Sequence, residues 1–347
     1  MSLKGNSLTS VPERVLITGG AGFIGSHLAE ALLERGHDVT IIDDLSTGRF
    51  ENIAHLCSQP RFHFTIDTIL NESIIDRLIG NCHLVFHLAA AVGVRLIVER
   101  PIHAIEANIL GTREVLKAAA RYRVPVLLAS SSEVYGKGNA IPFREDDDVV
   151  LGATTRSRWA YAASKMMDEF LALAYHREQG LPVVIFRMFN TVGARQTGRY
   201  GMVVPRFVEQ AFKGKPLTIY GDGSQSRCFL HVRDAVEAIL ALAACPQAVG
   251  QVFNVGSTEE ISITDLAKKI LTLVNEWESK KNQTPKEISF TNEERLLYIP
   301  YEQVFGESFD DMQRRVPDIS KIHRFTGWQP KHTLEEALRD VIEKPLS

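Results

Sequence analysis

The feature that most constrains the fold is a glycine-rich turn between a short apolar run and a helical stretch. Residues 14–18 read Arg-Val-Leu-Ile-Thr, which is typical of a strand buried on both faces. Glycines follow at positions 19, 22 and 25, and residues 23–35 carry apolar side chains at helical spacing before Gly36. A strand, a tight glycine turn and a helix in this order predict a phosphate-binding β–α unit.

Strand and helix patterns alternate through the first half of the chain. Further strands are predicted at 38–42, 62–66, 84–87, 126–129 and 183–187, and helices at 73–79, 102–121 and 161–179. This alternation predicts an α/β fold with a doubly wound, Rossmann-like parallel sheet and a smaller C-terminal α/β cap. We divide the chain into a tail (1–13), a dinucleotide-binding domain (14–190, with a strand returning at 251–255) and a substrate domain (191–347).

Composition excludes several classes of function. Lys and Arg number 39 against 42 Asp and Glu, so there is no basic surplus for binding nucleic acid. The four cysteines form no C-x-x-C pair, and we expect neither a disulfide scaffold nor a metal site. No apolar run approaches the ~18 residues of a membrane helix, and the N-terminus lacks a signal-peptide pattern. We therefore expect a cytoplasmic protein with no membrane partner.

Two aspartates after predicted strands extend the dinucleotide pattern. Asp43 ends the second strand at about the distance from Gly25 at which a carboxylate accepts both ribose hydroxyls. It would repel a 2′-phosphate and so favours NAD over NADP, although Arg49 leaves NADP open. Asp67, after the third strand, is placed to reach the adenine side of the cofactor or to remain a solvated loop residue.

A tyrosine and a lysine are spaced to share one face of a helix. Tyr161 and Lys165 stand at i and i+4, and an ammonium beside a phenol lowers the phenol pKa from its usual ~10. Such a phenol can act as a general base on a hydroxyl while hydride leaves the same carbon. The predicted strand at 126–129 is followed by a polar stretch that includes Ser131, Ser132 and Glu133. In a doubly wound fold, ligands bind at this carboxyl end of the strands.

Taken in order, these motifs resemble the extended short-chain dehydrogenases/reductases that act as nucleotide-sugar epimerases, dehydratases and decarboxylases. The likeness spans about residues 14 to 343 and rests on segments 19–25, 43–48, 87–90, 130–136, 161–165 and 187–190, together with Asn108. The resemblance implies bound NAD and a homodimer built on helices 102–121 and 161–179. It implies that the cofactor is held by Gly19, Gly22, Phe23, Ile24, Gly25, Asp43, Asp44, Ser46, Thr47, Gly48, Asp67, Leu88, Ala89, Ala90, Asn108 and Lys165.

The same resemblance assigns roles around the sugar. It implies that Tyr161 is the catalytic base and that Lys165 lowers its pKa and binds the nicotinamide ribose. It also implies that Ser131 hydrogen-bonds the sugar oxygen that is oxidised. It implies a UDP-sugar substrate, with dTDP and GDP as less favoured carriers. The implied contacts are Ser131 and Ser132 with the sugar, Tyr220 at the uracil, Asn190, Arg227 and Arg315 at the diphosphate, and Asp318 at the nucleotide ribose.

The family shares oxidation at sugar C4, and Glu133 bears on the fate of the resulting 4-ketone. Run 131–136 is similar to the Ser/Thr-Ser-Glu-Val-Tyr-Gly of UDP-glucuronate decarboxylases, and Arg158-Trp159 also resembles decarboxylases of this kind. Segment 93–95 instead resembles UDP-glucuronate 4-epimerases. Ser132 stands where dTDP-glucose dehydratases have Asp. We rank UDP-glucuronate decarboxylation first, 4-epimerisation second and 4,6-dehydration third. A dinucleotide-binding module without turnover is disfavoured because Tyr161 and Lys165 are both present.

Overall fold

A computed structural model describes residues 13–93, 100–138, 140–198, 202–282, 294–305 and 312–343. The tail predicted at 1–13 lies almost wholly outside these residues, as do Val94 and Arg95 of the epimerase-like segment. The first half of the chain alternates strand and helix. Its elements are β1 (Arg14–Thr18), α1 (Phe23–Glu34), β2 (Asp38–Asp43), β3 (Phe62–Ile66), α2 (Glu72–Gly80), β4 (Leu84–His87), α3 (Pro101–Tyr122), β5 (Val126–Ser131), α4 (Trp159–Gln179) and β6 (Val183–Met188).

The second half has shorter strands. Its elements are β7 (Thr191–Val192), α5 (Val203–Phe212), β8 (Leu217–Tyr220), β9 (Ser226–Cys228), β10 (Leu230–His231), α6 (Val232–Ala243), β11 (Gln251–Val255), β12 (Glu260–Ser262), α7 (Ile263–Asn282), β13 (Leu296–Ile299), α8 (Tyr301–Phe305), β14 (Arg314–Arg315), α9 (Ser320–Thr326) and α10 (Leu334–Glu343).

Seven parallel strands form the central sheet, in the order β3-β2-β1-β4-β5-β6-β11. The order reverses between β1 and β4, and ligands of doubly wound sheets bind outside the carboxyl ends of the strands at such a reversal. Both faces of the sheet are covered. Helices α1 and α6 pack on one face, and α2, α3 and α4 pack on the other. The predicted doubly wound α/β fold is therefore confirmed.

The cap has a hydrophobic core of its own. Helices α5, α7 and α10 bury apolar side chains around Phe207, Leu266 and Leu338. Strand β8 pairs in parallel with β13, and β9 lies between β12 and β14. Because these short strands return to the carboxyl edge of the central sheet, residues distant in sequence reach one cleft. In the part of the chain that the structure describes, no helix is long and apolar enough to cross a membrane.

Candidate active site

A cleft of about 1020 Å³ opens at the carboxyl edge of the sheet. One wall is formed by the loops that follow β1, β2, β4 and β5, and the other by cap segments around α5, β8, β9 and β14. The cleft therefore joins the predicted dinucleotide site to the predicted substrate site. Tyr161 and Lys165 of α4 line it between these two regions.

The glycine turn fits a dinucleotide because it leaves no room for side chains. Gly19 has φ +72°, and a Cβ there would lie 2.8 Å from the backbone N of Ala89. A Cβ on Gly25 would lie 2.2 Å from the carbonyl oxygen of Gly19. Gly22 caps α1 without a side-chain hydrogen bond, so the amides of the first helical turn stay available to an anion. This cradle suits a pyrophosphate.

Asp43 lies at the carboxyl end of β2 and orders the same turn. Its Oδ2 accepts a hydrogen bond from the backbone N of Ala21 (2.9 Å), and its Oδ1 accepts one from Leu45 N (2.8 Å). Burial raises the pKa of this carboxyl group, and the two backbone donors oppose that rise. A Cβ on Gly48 would come within 2.6 Å of Oδ1, so glycine allows the loop to close over the carboxylate. Asp43 also lines the cleft, where it can face a ribose.

Asn108 shapes the cofactor wall from behind. Its Oδ1 accepts from Ala91 N (2.8 Å), and its Nδ2 donates to Ser164 Oγ (3.0 Å). These bonds tie the loop after β4 to helix α4, which carries the predicted catalytic pair Tyr161 and Lys165. On the cleft side, the wall and the ends of β2 and β3 present Asp44, Ser46, Thr47, Asp67, Leu88, Ala89 and Ala90.

Tyr161 and Ser131 both line the cleft, and the Ser131 hydroxyl favours the ionised form of the Tyr161 phenol. Burial raises the pKa of the Tyr161 phenol; the Lys165 ammonium opposes this rise and the Glu133 carboxylate adds to it. The expectation of a phenol pKa below its usual value is therefore wrong in its net direction. Lys165 lowers the pKa of Tyr161, as predicted, but burial raises it by more. Spacing along the sequence does not reveal this burial.

Lys165 is itself buried and paired. Its Nζ lies 2.9 Å from Oδ2 of Asp168, three residues further along α4, and both side chains are almost completely excluded from solvent. Burial alone would lower the pKa of Lys165, but Asp168 and the neighbouring phenol outweigh it, so the net pKa is raised. Lys165 is thus held in its charged form.

Glu133 lies between two buried arginines. Its Oε2 accepts from Arg158 Nη1 (3.0 Å) and its Oε1 from Arg315 Nη2 (2.6 Å). Arg158 precedes α4, whereas Arg315 comes from β14 of the cap, so the carboxylate joins the two halves of the molecule. Arg158 also lies over the ring of Trp159, 4.8 Å from its centroid. The arrangement puts two positive charges on a carboxylate that itself acts on the Tyr161 phenol.

The cap side of the cleft carries polar atoms suited to a phosphate. Arg227 and Arg315 are adjacent across the β9–β14 pair. Within the described residues, Asn190 Nδ2 and Arg315 Nε are buried without a hydrogen-bond partner. Buried donors without partners are costly, so an anionic ligand would stabilise them.

An aromatic pocket lies beyond these arginines. The guanidinium carbon of Arg206 is 4.0 Å from the centroid of the Tyr220 ring. Gln225 Nε2 donates to the carbonyl oxygen of Tyr220 and to the hydroxyl of Tyr301, both at 2.9 Å. A planar base could stack and form hydrogen bonds here.

Most predicted site residues line the cleft, and three do not. Gly48 and Asn108 support it from behind, as described above. Asp318 does not line it: its Oδ1 accepts from Ser320 N (2.8 Å), and its Oδ2 pairs with Arg144 at 3.3 Å. These contacts place the carboxylate at the start of α9, and its role at the nucleotide ribose stays a prediction.

Sequence reasoning missed several polar residues of the site. Tyr301 reaches Gln225 because β8 pairs with β13, and Arg206 reaches Tyr220 because α5 packs on β8. No local motif signals either contact. Asp168 carried a signal that was overlooked, since a carboxylate at i+3 from a lysine on a helix is placed to pair with it.

Residues 16–341 match the family model described as GDP-mannose 4,6 dehydratase. The chain therefore belongs to this family of extended short-chain dehydrogenases/reductases, as its motifs predicted. UDP-N-acetyl-alpha-D-glucosaminuronate decarboxylase of Bacillus cytotoxicus is 40% identical over 332 residues, which cover 95% of this chain and 97% of the relative. UDP-glucuronic acid decarboxylase 1 of Danio rerio is 34% identical over 331 residues, which cover 95% and 72%.

Solved structures of two further enzymes share the fold. A UDP-glucose 4-epimerase of Thermotoga maritima, solved with UDP-glucose, has a TM-score of 0.79 and 28% identity, covering 95% of this chain and 98% of its own. A dTDP-glucose 4,6-dehydratase of Bacillus anthracis, in complex with NAD, has a TM-score of 0.80 and 25% identity, covering 95% and 96%. These neighbours span the alternatives raised by the sequence.

Proposed function

We propose that the protein is an NAD-dependent decarboxylase of a UDP-linked uronic acid, either UDP-glucuronate or its 2-acetamido analogue. The single observation that carries this proposal is Glu133 paired with Arg158 and Arg315 beside Tyr161. The likeness to the Bacillus cytotoxicus and Danio rerio decarboxylases supports it. By their names, the first acts on an N-acetylated amino sugar acid and the second on glucuronic acid. Epimerisation at C4 is the second candidate, supported by the structural likeness to the Thermotoga enzyme.

The cofactor end of the cleft fits NAD. The glycine cradle suits the pyrophosphate, and the Asp43 carboxylate favours a ribose with free hydroxyls over a 2′-phosphate. When bound, NAD supplies the redox chemistry by accepting hydride from C4 and later returning it. The chain's own residues bind the sugar, orient it and move its protons.

Tyr161 and Ser131 would act on the C4 oxygen. As hydride leaves C4, the phenolate of Tyr161 takes the hydroxyl proton while the Ser131 hydroxyl holds the oxygen in place. The product is a β-keto acid, in which the C5–carboxyl bond breaks and its electron pair moves to the C4 oxygen as an enolate. The Tyr161 and Ser131 hydroxyls then donate hydrogen bonds to that oxygen where charge develops. Protonation of C5, return of hydride to C4 and return of the Tyr161 proton to the C4 oxygen complete a redox-neutral cycle.

Glu133 would keep the substrate carboxylate reactive. A guanidinium that paired fully with that carboxylate would stabilise the ground state and slow the loss of CO2, because the charge must leave the carboxylate in the transition state. Glu133 holds one nitrogen of each arginine. The arginines can then guide a uronate into the site without fully neutralising it. A 4-epimerase of a uronic acid must keep the substrate carboxylate. It would therefore gain from arginines that pair fully with that carboxylate.

The cap residues would hold the UDP part of the substrate. Arg227, Arg315 and Asn190 present donors to a diphosphate, and guanidinium groups bind such anions directionally. Tyr220 and Arg206 offer surfaces against which a uracil ring could stack. The predicted preference for UDP over dTDP or GDP remains part of the proposal.

Incubation with NAD and either UDP-glucuronate or its 2-acetamido analogue tests the reaction. Proton NMR of the anomeric region should show conversion to a UDP-pentose or its 2-acetamido counterpart. Appearance of the galacto-configured uronate would establish epimerisation instead. Unchanged spectra with both substrates would refute a UDP-uronate reaction, and neutral UDP-hexoses would be examined next.

A homodimer is also part of the proposal. Helices α3 and α4 pack together and expose Ile102, Ile105, Met167 and Phe170, with Ile102 72% and Phe170 56% exposed. Apolar side chains on one helix pair favour an interface with a second copy. Light scattering should give twice the chain mass of 38.7 kDa; a monomer at micromolar concentration would exclude the dimer. The cytoplasmic location stays a prediction from sequence.

A further inference from the structure

Asp168 is a buried carboxylate directly behind the lysine of the catalytic pair. It is 1% exposed and does not line the cleft, so it cannot touch the sugar. Its Oδ2 lies 2.9 Å from Lys165 Nζ. Since Lys165 does line the cleft, the lysine separates Asp168 from the site of reaction.

Among the groups around Lys165, Asp168 is the principal counter-charge of its ammonium. On the same helix, Glu169 is committed elsewhere, since it accepts from Arg187 Nε and Nη2 at 2.9 and 2.8 Å. From β4, His87 Nε2 bonds the Thr112 hydroxyl of α3 at 3.0 Å. Burial raises the pKa of the Asp168 carboxyl group, and Lys165 and the Thr112 hydroxyl oppose that rise.

The other titratable groups near Lys165 and Asp168 add little charge beside the Lys165 ammonium. Burial lowers the pKa of His87 to about 3, so the imidazole brings no charge at neutral pH. Glu133 acts on the Tyr161 phenol and is itself held by two arginines. The ammonium of Lys165 is therefore shared between two groups on α4: the Asp168 carboxylate and the Tyr161 phenol.

We propose that Asp168 is a positioning residue of the reaction, which fixes Lys165 and offsets its charge and thereby sets how readily Tyr161 exchanges a proton. The inference rests on the proposed function for its chemistry, because the same phenol must take a proton from the C4 hydroxyl and give it back. An unpaired ammonium would favour the phenolate strongly and make the return step harder. Burial of the ion pair keeps the lysine in one position for both steps.

The experiment measures the phenol directly and needs no substrate. The NAD-loaded protein is labelled with ¹³Cζ-tyrosine, and the Tyr161 resonance is assigned by its loss in Tyr161→Phe. In Asp168→Asn the buried ammonium has the phenolate as its remaining close counter-charge. The phenol should then titrate about one pH unit lower than in the parent protein, a tenfold change in its acid dissociation.

Three further variants make the result specific. Asp168→Glu retains the charge and should titrate like the parent. Glu169→Gln removes a buried carboxylate from the same helix and should move the phenol much less. If Asp168→Asn fails to fold, the smaller Asp168→Ser carries the same expected shift. An unchanged titration in a folded, neutral variant overturns the proposal, as does an equal shift in Glu169→Gln.

The pH dependence of turnover provides the kinetic counterpart. With whichever UDP-sugar is turned over, the acidic limb of the kcat/KM profile should move to lower pH by about one unit in Asp168→Asn. Absence of UDP-uronate turnover would refute the proposed function but leave the phenol titration as an independent result. A normal turnover profile with no shift would overturn the role of Asp168 alone.

Discussion

Replacing Glu133 by glutamine should slow the release of CO2 and tighten the binding of the UDP-uronate. The amide is nearly the same size but removes the negative charge between Arg158 and Arg315, which now contact Glu133 at 3.0 and 2.6 Å. Both guanidinium groups stay in place because Arg158 packs on Trp159 and Arg315 lies in the β9–β14 pair. Their charge then becomes available to the substrate carboxylate.

The magnitude can be worked from the strength of one such contact. A hydrogen bond to a charged group contributes about 1.5–3 kcal/mol. If one guanidinium transfers from Glu133 to the substrate and its bond is lost as CO2 leaves, the barrier rises by that amount. At about 1.4 kcal/mol per tenfold change in rate, decarboxylation should slow by roughly 10- to 100-fold. Binding of the UDP-uronate should tighten by a similar factor.

The assay follows substrate affinity by calorimetry and CO2 release by single-turnover kinetics. A matched control is Glu260→Gln, because Glu260 pairs with Arg314 on the cap surface (2.8 and 2.7 Å) away from the cleft. Glu260→Gln should leave both quantities unchanged. Substrate binding no tighter than in the parent, with CO2 released at the parent rate, would exclude this role of Glu133.

Three further perturbations test other parts of the site. Tyr161→Phe should abolish turnover while NAD affinity, measured by calorimetry, stays within about twofold, since the phenol is needed for proton transfer; near-normal turnover would exclude it as the base. Gly25→Ala should weaken NAD binding at least tenfold, because its Cβ would lie 2.2 Å from the carbonyl oxygen of Gly19; unaltered affinity would contradict the cradle. Arg187→Met should lower the free energy of unfolding by about 3–5 kcal/mol, since it leaves the buried Glu169 carboxylate unpaired; urea denaturation showing a loss below about 1 kcal/mol would argue against that cost.

Local patterns predicted the parts of the site that depend on neighbouring residues. The turn at 19–25 could be located because its strand, glycines and helix are contiguous, and the structure places all three around one cradle. Tyr161 and Lys165 could be paired because helical spacing fixes their relation, and both line the cleft.

Features set by burial or by distant pairing could not be predicted in the same way. The net rise in the Tyr161 pKa depends on how much of the fold covers the phenol, which spacing along α4 does not show. Asp318 follows Arg315 closely in sequence, yet its carboxylate accepts from Ser320 N and pairs with Arg144 and does not line the cleft. The contact between Arg206 and Tyr220 depends on the packing of α5 on β8, which no local pattern shows.

The central claim is that a uronic acid loses its carboxyl group in this cleft. The most direct test is incubation of the protein and NAD with UDP-glucuronate carrying ¹³C at its carboxyl carbon, followed by quantification of labelled CO2 and labelled sugar. We expect one labelled CO2 for each UDP-sugar consumed and an unlabelled UDP-pentose. Label retained in a consumed substrate, as in a C4 epimer, would contradict it.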